Sequence, residues 1–257
     1  MALRITWLGQ SGLLLEDESA RVLVDPWLSP HPDRAAPAPS MECLAGAIDL
    51  VLITHGHADH LDLPGLVNLA RWAKLREIAA PEPHLPAIAD ALQCIPRVAT
   101  RPYRDLDRIG GVSVVPAWHG VSVADGYGPM LDANGLSPHV GYILTLGGTR
   151  LYIAGDTLAH PELGAIVKRH GPHIAFLPIN GRDEVRERSG ILGNMNAVEA
   201  VDFAAAVGAA ILVPLHYDGV KGNTAPVLPA VTAAVGRPVS ILVLSRGETF
   251  QFNGNTP

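Results

Sequence analysis

The sequence has little cysteine, and the cysteine that it has forms no recognisable site. Its two cysteines, Cys43 and Cys94, show neither metal-binding nor redox spacing. We therefore expect no disulfide framework, and nothing in the chain demands an oxidising compartment. The N-terminal residues lack the long apolar core and the small-residue cleavage site of a signal peptide, so we expect a cytoplasmic protein.

Charge and long apolar runs are also scarce. Charged residues make up 17% of the chain, and acidic residues outnumber basic ones by 25 to 19, which gives a formal net charge of −6. Because nucleic acids are bound mainly through Lys and Arg, we expect no nucleic-acid partner. No apolar run reaches the roughly 18 residues of a membrane span, so we expect no membrane partner.

The chain does have enough apolar residues for a large core. Hydrophobic residues make up 48% of its 257 residues, and no linker rich in Pro, Ser or Gly divides it. We expect a single domain over residues 1–257. Short strand-like runs come first and then alternate with helical segments, such as a helix from Leu63 to about Lys74. This order predicts an α/β fold in which two packed sheets carry helices on their outer faces.

The most informative segment follows the apolar run Leu50–Ile53. It contains three imidazoles and one carboxylate, namely His55, His57, Asp59 and His60. Alternate residues of an extended segment point the same way, so His55 and His57 can meet one ion. Asp59 and His60 lie one turn further on and can reach a second ion. Imidazole and carboxylate are ligands that zinc, manganese and iron accept, so the segment predicts a metal site.

Three further candidates share one setting, because each is a ligand-type side chain placed just after an apolar, strand-like run. They are His119 after Val112–Trp118, Asp156 after Leu151–Gly155, and His216 after Ile211–Leu215. Residues at strand ends can converge on a single edge of a sheet. These three side chains could therefore complete the metal site.

Together these blocks resemble the metallo-β-lactamase superfamily. The matching blocks, in the family's order, are Asp25 after a strand, His55-x-His57-x-Asp59-His60, His119, Gly155-Asp156 and His216. The resemblance implies a four-layer αββα sandwich with two divalent metal ions per chain. It assigns the first metal to His55, His57 and His119, and the second to Asp59, His60 and His216, with Asp156 bridging both. It places Asp25 behind the ligands, accepting a histidine N–H, although Asp25 could instead cap the turn with Pro26.

Three segments of the second half resemble a narrower branch, the L-ascorbate-6-phosphate lactonase-like proteins. The segments are Leu177–Gly181, Gly193–Ala200 and Val213–Tyr217. That branch also lacks an added nucleic-acid-binding domain and is associated with manganese, whereas zinc is the commoner metal of the superfamily and iron is possible. The sequence leaves the native metal open.

The mechanism that follows is a hypothesis of metal-dependent hydrolysis. Two ions about 3.5–4 Å apart can hold a hydroxide between them, because metal binding lowers the pKa of water to about 7. The hydroxide would attack a small, anionic ester or lactone, with Asp59 and Asp156 as the catalytic carboxylates. No Gly-x-Ser-x-Gly elbow is present, so a serine nucleophile is not expected.

Substrate contacts are expected from loops around the metals. The candidates are Asn180, Arg182, His139 and Tyr217, and the loop of residues 124–138 is a candidate lid. For each one a plain structural interpretation is equally open. Acidic residues are interleaved with Arg182, Arg186 and Arg188 in what could be a solvated charge run, and His139 could simply cap the following strand.

Other functions remain open on the same fold. One is a phosphodiesterase or nuclease, which the acidic charge balance disfavours. Another is an iron-dependent oxidoreductase, although no flavin-binding segment is visible. A binding module without catalysis is a third, and the complete ligand set argues against it. Whether the chain forms a homo-oligomer cannot be predicted from the sequence.

Overall fold

The computed structural model describes residues 2–104, 107–109, 111–119, 131–181, 184, 188 and 193–253. The strands are β1 (Leu3–Gly9), β2 (Gly12–Glu16), β3 (Arg21–Val24), β4 (Ala47–Leu52), β5 (Lys74–Pro81), β6 (Ala99–Tyr103), β7 (Arg108–Ile109), β8 (Val112–Pro116), β9 (Val140–Leu146), β10 (Thr149–Ile153), β11 (Ile174–Pro178), β12 (Ile211–Leu215), β13 (Ser240–Ile241) and β14 (Thr249–Phe252). The α-helices are α1 (Leu63–Trp72), α2 (Leu85–Ala91), α3 (Pro161–His170), α4 (Ala197–Val207) and α5 (Leu228–Ala233). Short 3-10 helices span Met41–Leu44 and Glu82–His84.

The strands form two seven-stranded sheets, one built mainly from the N-terminal half of the chain and the other from the C-terminal half. The first sheet has the order β14-β1-β2-β3-β4-β5-β6, and the second has the order β13-β12-β11-β10-β9-β8-β7. Each sheet is antiparallel over one part, around β1–β3 and around β7–β10, and parallel over the rest. The last strand, β14, pairs with β1 and so returns the chain to the first sheet.

Three hydrophobic layers show that the two sheets pack face to face with helices outside. Leu13 and Leu15 of β2 face the layer between the sheets, whereas Leu14 faces the layer under α1 and α2. Leu151 of β10 likewise faces the inner layer, and the neighbouring Tyr152 faces the layer under α3 and α4. This alternation is the strand period of two, with both faces covered. The four-layer αββα sandwich predicted from the sequence is therefore confirmed.

The helix predicted from Leu63 to about Lys74 ends two residues earlier in the structure, and a strand that was not predicted follows it. Helix α1 ends at Trp72, and β5 begins at Lys74. The segment contains helix-forming residues, so its local preference did not predict a strand. Pairing decides the outcome, because Ala79 of β5 lies opposite Leu52 of β4 on one side and Arg101 of β6 on the other.

One edge of the sandwich brings several strand ends together. The Tyr142 hydroxyl of β9 donates to the carbonyl of Ile53 at 2.6 Å, just after β4 in the other sheet. The Val140 amide donates to the carbonyl of Thr54 at 3.0 Å. These bonds hold the segment after β4 against the second sheet. Within the described ranges, none of the helices is both long enough and apolar enough to cross a membrane.

Candidate metal centre

The histidine-rich segment forms a tight turn between β4 and α1. The amides of His60 and Leu61 both donate to the carbonyl of His57, at 2.9 and 2.8 Å. Asp62 then caps the N-terminus of helix α1, and its carboxylate accepts the Gly65 amide at 3.0 Å. The same carboxylate accepts two amides of the loop after β3, so it fixes the end of the turn from both sides. Four candidate ligands are thereby held within one rigid connection.

The first group of candidate ligands consists of His55, His57 and His119. The Nδ1 atom of His57 lies 3.0 Å from Nε2 of His55 and 3.3 Å from Nε2 of His119. Three ring nitrogens from two distant parts of the chain thus converge on one point. Together with one oxygen of Asp156, all the candidate ligand atoms lie within 4.8 Å of one another.

The second group consists of Asp59, His60 and His216. The Nε2 atom of His216 lies 3.1 Å from Oδ2 of Asp59, and Nε2 of His60 lies 3.7 Å from the same oxygen. These ligand atoms also fall within 4.8 Å of one another. The group combines the turn after β4 with the residue that follows β12, so both sheets contribute to it.

Asp156 lies between the two groups. Its Oδ1 atom is 3.3 Å from Nε2 of His60, and its Oδ2 atom is 3.2 Å from Nε2 of His216 and 3.7 Å from Nε2 of His119. The preceding Gly155 allows this placement, because its φ of +62° and its contact with Thr54 leave no room for a Cβ atom. A single carboxylate therefore reaches histidines of both groups.

The donor set fits divalent cations. The Nδ1 atom of His119 lies 3.0 Å from the carbonyl of Gly193, which can only accept, so the proton is on Nδ1 and Nε2 carries the lone pair. Nε2 of His60 and Oδ1 of Asp156 are buried and form no hydrogen bond of acceptable geometry within the described residues. Two buried acceptors that face one another are costly unless a proton or a cation lies between them, and the imidazole and carboxylate groups here are suited to a cation. All-His/Asp ligation suits zinc, manganese and iron.

Asp25 lies behind the second group. Its Oδ2 atom accepts from Nδ1 of His60 at 2.8 Å and from the Thr54 hydroxyl at 2.6 Å, and its Oδ1 atom accepts the Thr54 amide at 2.8 Å. The carboxylate thus keeps the proton of His60 on Nδ1 and directs Nε2 towards Asp156. A carboxylate that orients a histidine in this way is a common support of metal ligands.

The two groups differ in their electrostatics. Burial lowers the pKa of His55 well below its usual value, and burial also lowers the pKa of His119. Burial would lower the pKa of His60 and His216 as well, but nearby carboxylates, with Asp156 foremost, outweigh it. They raise the pKa of His216 to about 9 and that of His60 well above its usual value. Without an ion, burial therefore favours the neutral forms of His55 and His119, whereas the carboxylates favour the protonated forms of His60 and His216.

Backbone strain is concentrated at this site. Among the described residues, the non-glycine residues with positive φ are Gln10 (φ 53°), Asp25 (φ 42°) and His216 (φ 60°). Left-handed backbone is unfavourable for residues with a Cβ atom, and it persists where the surrounding structure imposes it. Gln10 was not among the residues predicted from the sequence, and the turn Gly9-Gln10-Ser11-Gly12 carries no local signal for a site.

A cavity of about 240 Å³ opens onto the candidate ligands and carries carboxamides on one wall. Its lining includes Asn180, Asn194 and Asn223. The Asn180 side chain donates to Asn223 Oδ1 at 2.8 Å and accepts from Asn194 Nδ2 at 3.0 Å. Oδ1 of Asn194 is buried and has no hydrogen-bond partner in the described part of the chain. Asn194 and Asn223 were missed from the sequence because neither lies in a metal-binding pattern.

The predicted substrate contacts have different positions. Asn180 lines the cavity. The buried ring of His139 has its centroid 5.2 Å from that of His55 and 5.1 Å from that of His119, so it lies beside the first group. The ring of Tyr217 is partly buried, stacks on Trp7 with centroids 5.2 Å apart and packs against the inner hydrophobic layer. It is not part of the cavity lining, and its role as a substrate contact stays a prediction.

The structure describes only some residues of the arginine-rich segment. Arg182 and Arg186 lie outside the described residues, as do residues 124–130 of the candidate lid. Arg188 is largely exposed and pairs with Glu184 one helical turn away. This pair fits the solvated charge run that the sequence left open.

Comparison with known proteins gives consistent matches. Residues 20–217 match the family described as the beta-lactamase superfamily domain. A UPF0173 metal-dependent hydrolase of Archaeoglobus fulgidus is 30% identical and is aligned over 98% of this chain and 100% of that protein. The structure is similar to a possible metal-dependent hydrolase of Veillonella parvula, with a TM-score of 0.75, 17% identity and coverage of 97% of this chain and 99% of that chain. It is also similar to an isothiocyanate hydrolase from Delia radicum gut bacteria, with a TM-score of 0.73, 20% identity and coverage of 97% and 98%.

Proposed function

Since this chain belongs to the metallo-β-lactamase superfamily and is a metal-dependent hydrolase, we propose that it binds two divalent ions and hydrolyses a small ester or lactone. The observation that carries the proposal is the position of Asp156, within 3.7 Å of His60, His119 and His216. A carboxylate that reaches two groups of imidazoles is suited to bridging two ions. A single hydrolase domain over residues 1–257 and a cytoplasmic location are part of the same proposal.

Each candidate residue has its own role in the proposed mechanism. His55, His57 and His119 would hold one ion, Asp59, His60 and His216 the other, and Asp156 both. Ions held there would supply a water of lowered pKa and would polarise the oxygen of the substrate. Asp59 lines the cavity, so its carboxylate can orient the attacking water. Asp25 keeps the proton of His60 on Nδ1 throughout.

The metal that we propose is manganese or zinc, with iron as a further option. The ligand set contains no thiolate, because neither cysteine of the chain belongs to it. Cys43 and Cys94 are free, and neither belongs to the two groups. Imidazole and carboxylate ligands accept all three metals, so cellular availability would decide among them.

The cavity wall supports a polar substrate. Asn180 and Asn194 present carboxamides to the space above the ligands, and such groups pair with hydroxyl or carbonyl oxygens. His139 is not part of the cavity lining, but its buried ring lies beside the first group, with its centroid 5.1 Å from that of His119. We propose Asn180 and His139 as substrate contacts. A lactone follows from the resemblance of the segments around Asn180, Asn194 and His216, and the preference for an anion would depend on Arg182.

A panel of substrates tests the proposal. Protein stripped with a chelator and reloaded with Mn²⁺, Zn²⁺ or Fe²⁺ would be offered phosphorylated and neutral sugar lactones, simple esters, thioesters, an isothiocyanate and phosphodiesters. We expect reloaded protein to hydrolyse lactones or esters and stripped protein to be inactive. Equal rates before and after stripping would contradict the proposal. Hydrolysis of phosphodiesters alone would favour the nuclease alternative, and oxygen consumption by the iron form would favour an oxidoreductase.

A further inference from the structure

We propose that Gln10 is a positioning residue that prepares the second group for its ion. This inference rests on the proposed two-ion function, because it concerns the affinity for one of the two ions. Gln10 lies in the turn between β1 and β2, remote in sequence from every candidate ligand. Its side chain nevertheless ends among them, and the residue is only 1% exposed.

The carboxamide of Gln10 has one defined orientation. Its Oε1 atom accepts the amide of Gly219 at 3.0 Å, so the oxygen is directed away from the ligands. Its Nε2 atom then donates to Oδ2 of Asp59 at 2.7 Å and lies 3.0 Å from Nε2 of His216. Because a main-chain amide can only donate, the bond to Gly219 fixes which end of the carboxamide faces Asp59.

The main chain of Gln10 supports the same group. Its carbonyl accepts the amide of His216 at 3.1 Å and the indole N–H of Trp7, also at 3.1 Å. Both Gln10 and His216 have positive φ, so this hydrogen bond joins two strained residues. One residue therefore holds the carboxylate of Asp59 through its side chain and the backbone of His216 through its carbonyl.

Gly219 shapes the space in which the carboxamide lies. A Cβ atom at residue 219 would be 2.2 Å from Oε1 of Gln10 and 2.7 Å from its Cβ and Cδ atoms. Such contacts are far below van der Waals distance, so a methyl group there would displace the Gln10 side chain. Gly219 thus offers a way to disturb the carboxamide without changing Gln10 itself.

A carboxamide suits this position because it orients without adding charge. A lysine or arginine beside Asp59 would neutralise the carboxylate and compete with an entering cation. The Gln10 amide donates one hydrogen bond and leaves the negative charge of Asp59 in place. Asp25 supports His60 in the same group, so Gln10 supplies the support that Asp59 and His216 would otherwise lack.

The test is a metal titration of Gln10→Met, which keeps the side-chain volume and removes the donor. Stripped wild-type and variant proteins would be titrated with Mn²⁺ in a calorimeter, and bound metal would be counted by elemental analysis. We expect the ion of the first group to bind wild type and variant equally. The ion of the second group should bind the variant about 10–100-fold more weakly, as is typical when a supporting partner of a metal ligand is removed.

A second variant and two matched controls keep the outcome unambiguous. Gly219→Ala should weaken binding of the ion of the second group in the same way. Two control substitutions should leave the binding of both ions unchanged: Gln93→Ala, which changes an exposed glutamine, and Gly164→Ala, which changes a helical glycine with room for a methyl group. Unchanged binding of both ions by Gln10→Met and Gly219→Ala would overturn the inference, and so would an equal loss of both ions. Wild-type protein that binds no ion would instead refute the proposed function.

Discussion

The two groups of candidate ligands are supported in different ways. In the first group, the orienting partners are uncharged: the Gly193 carbonyl accepts from His119, and the Thr54 hydroxyl lies 3.1 Å from Nδ1 of His55. In the second group, one partner is charged, because the Asp25 carboxylate accepts from His60, and the Gln10 carboxamide donates to Asp59. The first group is made of imidazoles alone, whereas the second pairs imidazoles with a carboxylate. The groups therefore differ in charge as well as in support.

This difference has a consequence for metal binding. The lowered pKa values of His55 and His119 favour the forms of these two imidazoles that carry a free lone pair. The raised pKa values of His60 and His216 mean that protons on these imidazoles offset the charges of Asp59 and Asp156 when no ion is present. An ion entering the second group must displace these protons, so its affinity should depend more steeply on pH. We therefore expect the two adjacent sites to fill at different pH values.

The largest effect is expected from the residue that both groups share. Asp156→Asn removes the negative charge between the two groups while keeping the side-chain shape. We expect activity to fall by roughly 100-fold or more, with fewer bound ions per chain, because bridging by a carboxylate is lost. Steady-state rates on the best substrate of the panel, together with elemental analysis, would measure both quantities.

A matched control separates this effect from a general loss of charge. Asp202 lies on α4 and forms a half-exposed pair with Arg237 at 2.7 Å. Asp202→Asn should leave rate and metal content unchanged, since exposed ion pairs contribute about 0–1 kcal/mol to stability. If Asp156→Asn retained full rate and full metal content, the bridging role would be refuted.

A smaller effect is expected from pH on the stripped protein. The folded pKa of His216 is about 9, against 6.5 as its usual value. A raised folded pKa adds stability that is fully present below pH 6.5 and lost as pH rises through 9. We expect the melting temperature of stripped protein to fall by roughly 5–10 °C over this window. The melting temperature of metal-loaded protein should fall less over the same window. An equal fall in stripped and metal-loaded protein would contradict the electrostatic difference between the two groups.

Much of the fold could be predicted because local signals and packing agree. Helix α4 is capped by Asn196, which forms with Glu199 a capping box that the sequence Asn196-Ala197-Val198-Glu199 favours. Helix α3 starts at Pro161 and ends before Gly171, two residues that are typical of helix ends. Strand β5 could not be predicted, because its residues favour a helix and only the neighbouring strands impose extension. Where local preference and sheet pairing disagreed, pairing determined the structure.

The candidate site could also be predicted only in part, because some of its residues belong to a sequence pattern and others do not. Four of the candidate ligands are close in sequence, and the structure brings them together with the three strand-end residues. Their role as ligands stays a prediction. Gln10 and Asn194 could not be predicted, because they reach the site through a left-handed turn and through loop packing, and neither leaves a periodic or spacing signal.

The measurement that tests the central claim most directly is anomalous diffraction from crystals of Mn²⁺-loaded or Zn²⁺-loaded protein. The account predicts two metal peaks per chain, one beside His55, His57 and His119 and the other beside Asp59, His60 and His216, with Asp156 contacting both. A single peak, or peaks away from these seven side chains, would contradict it.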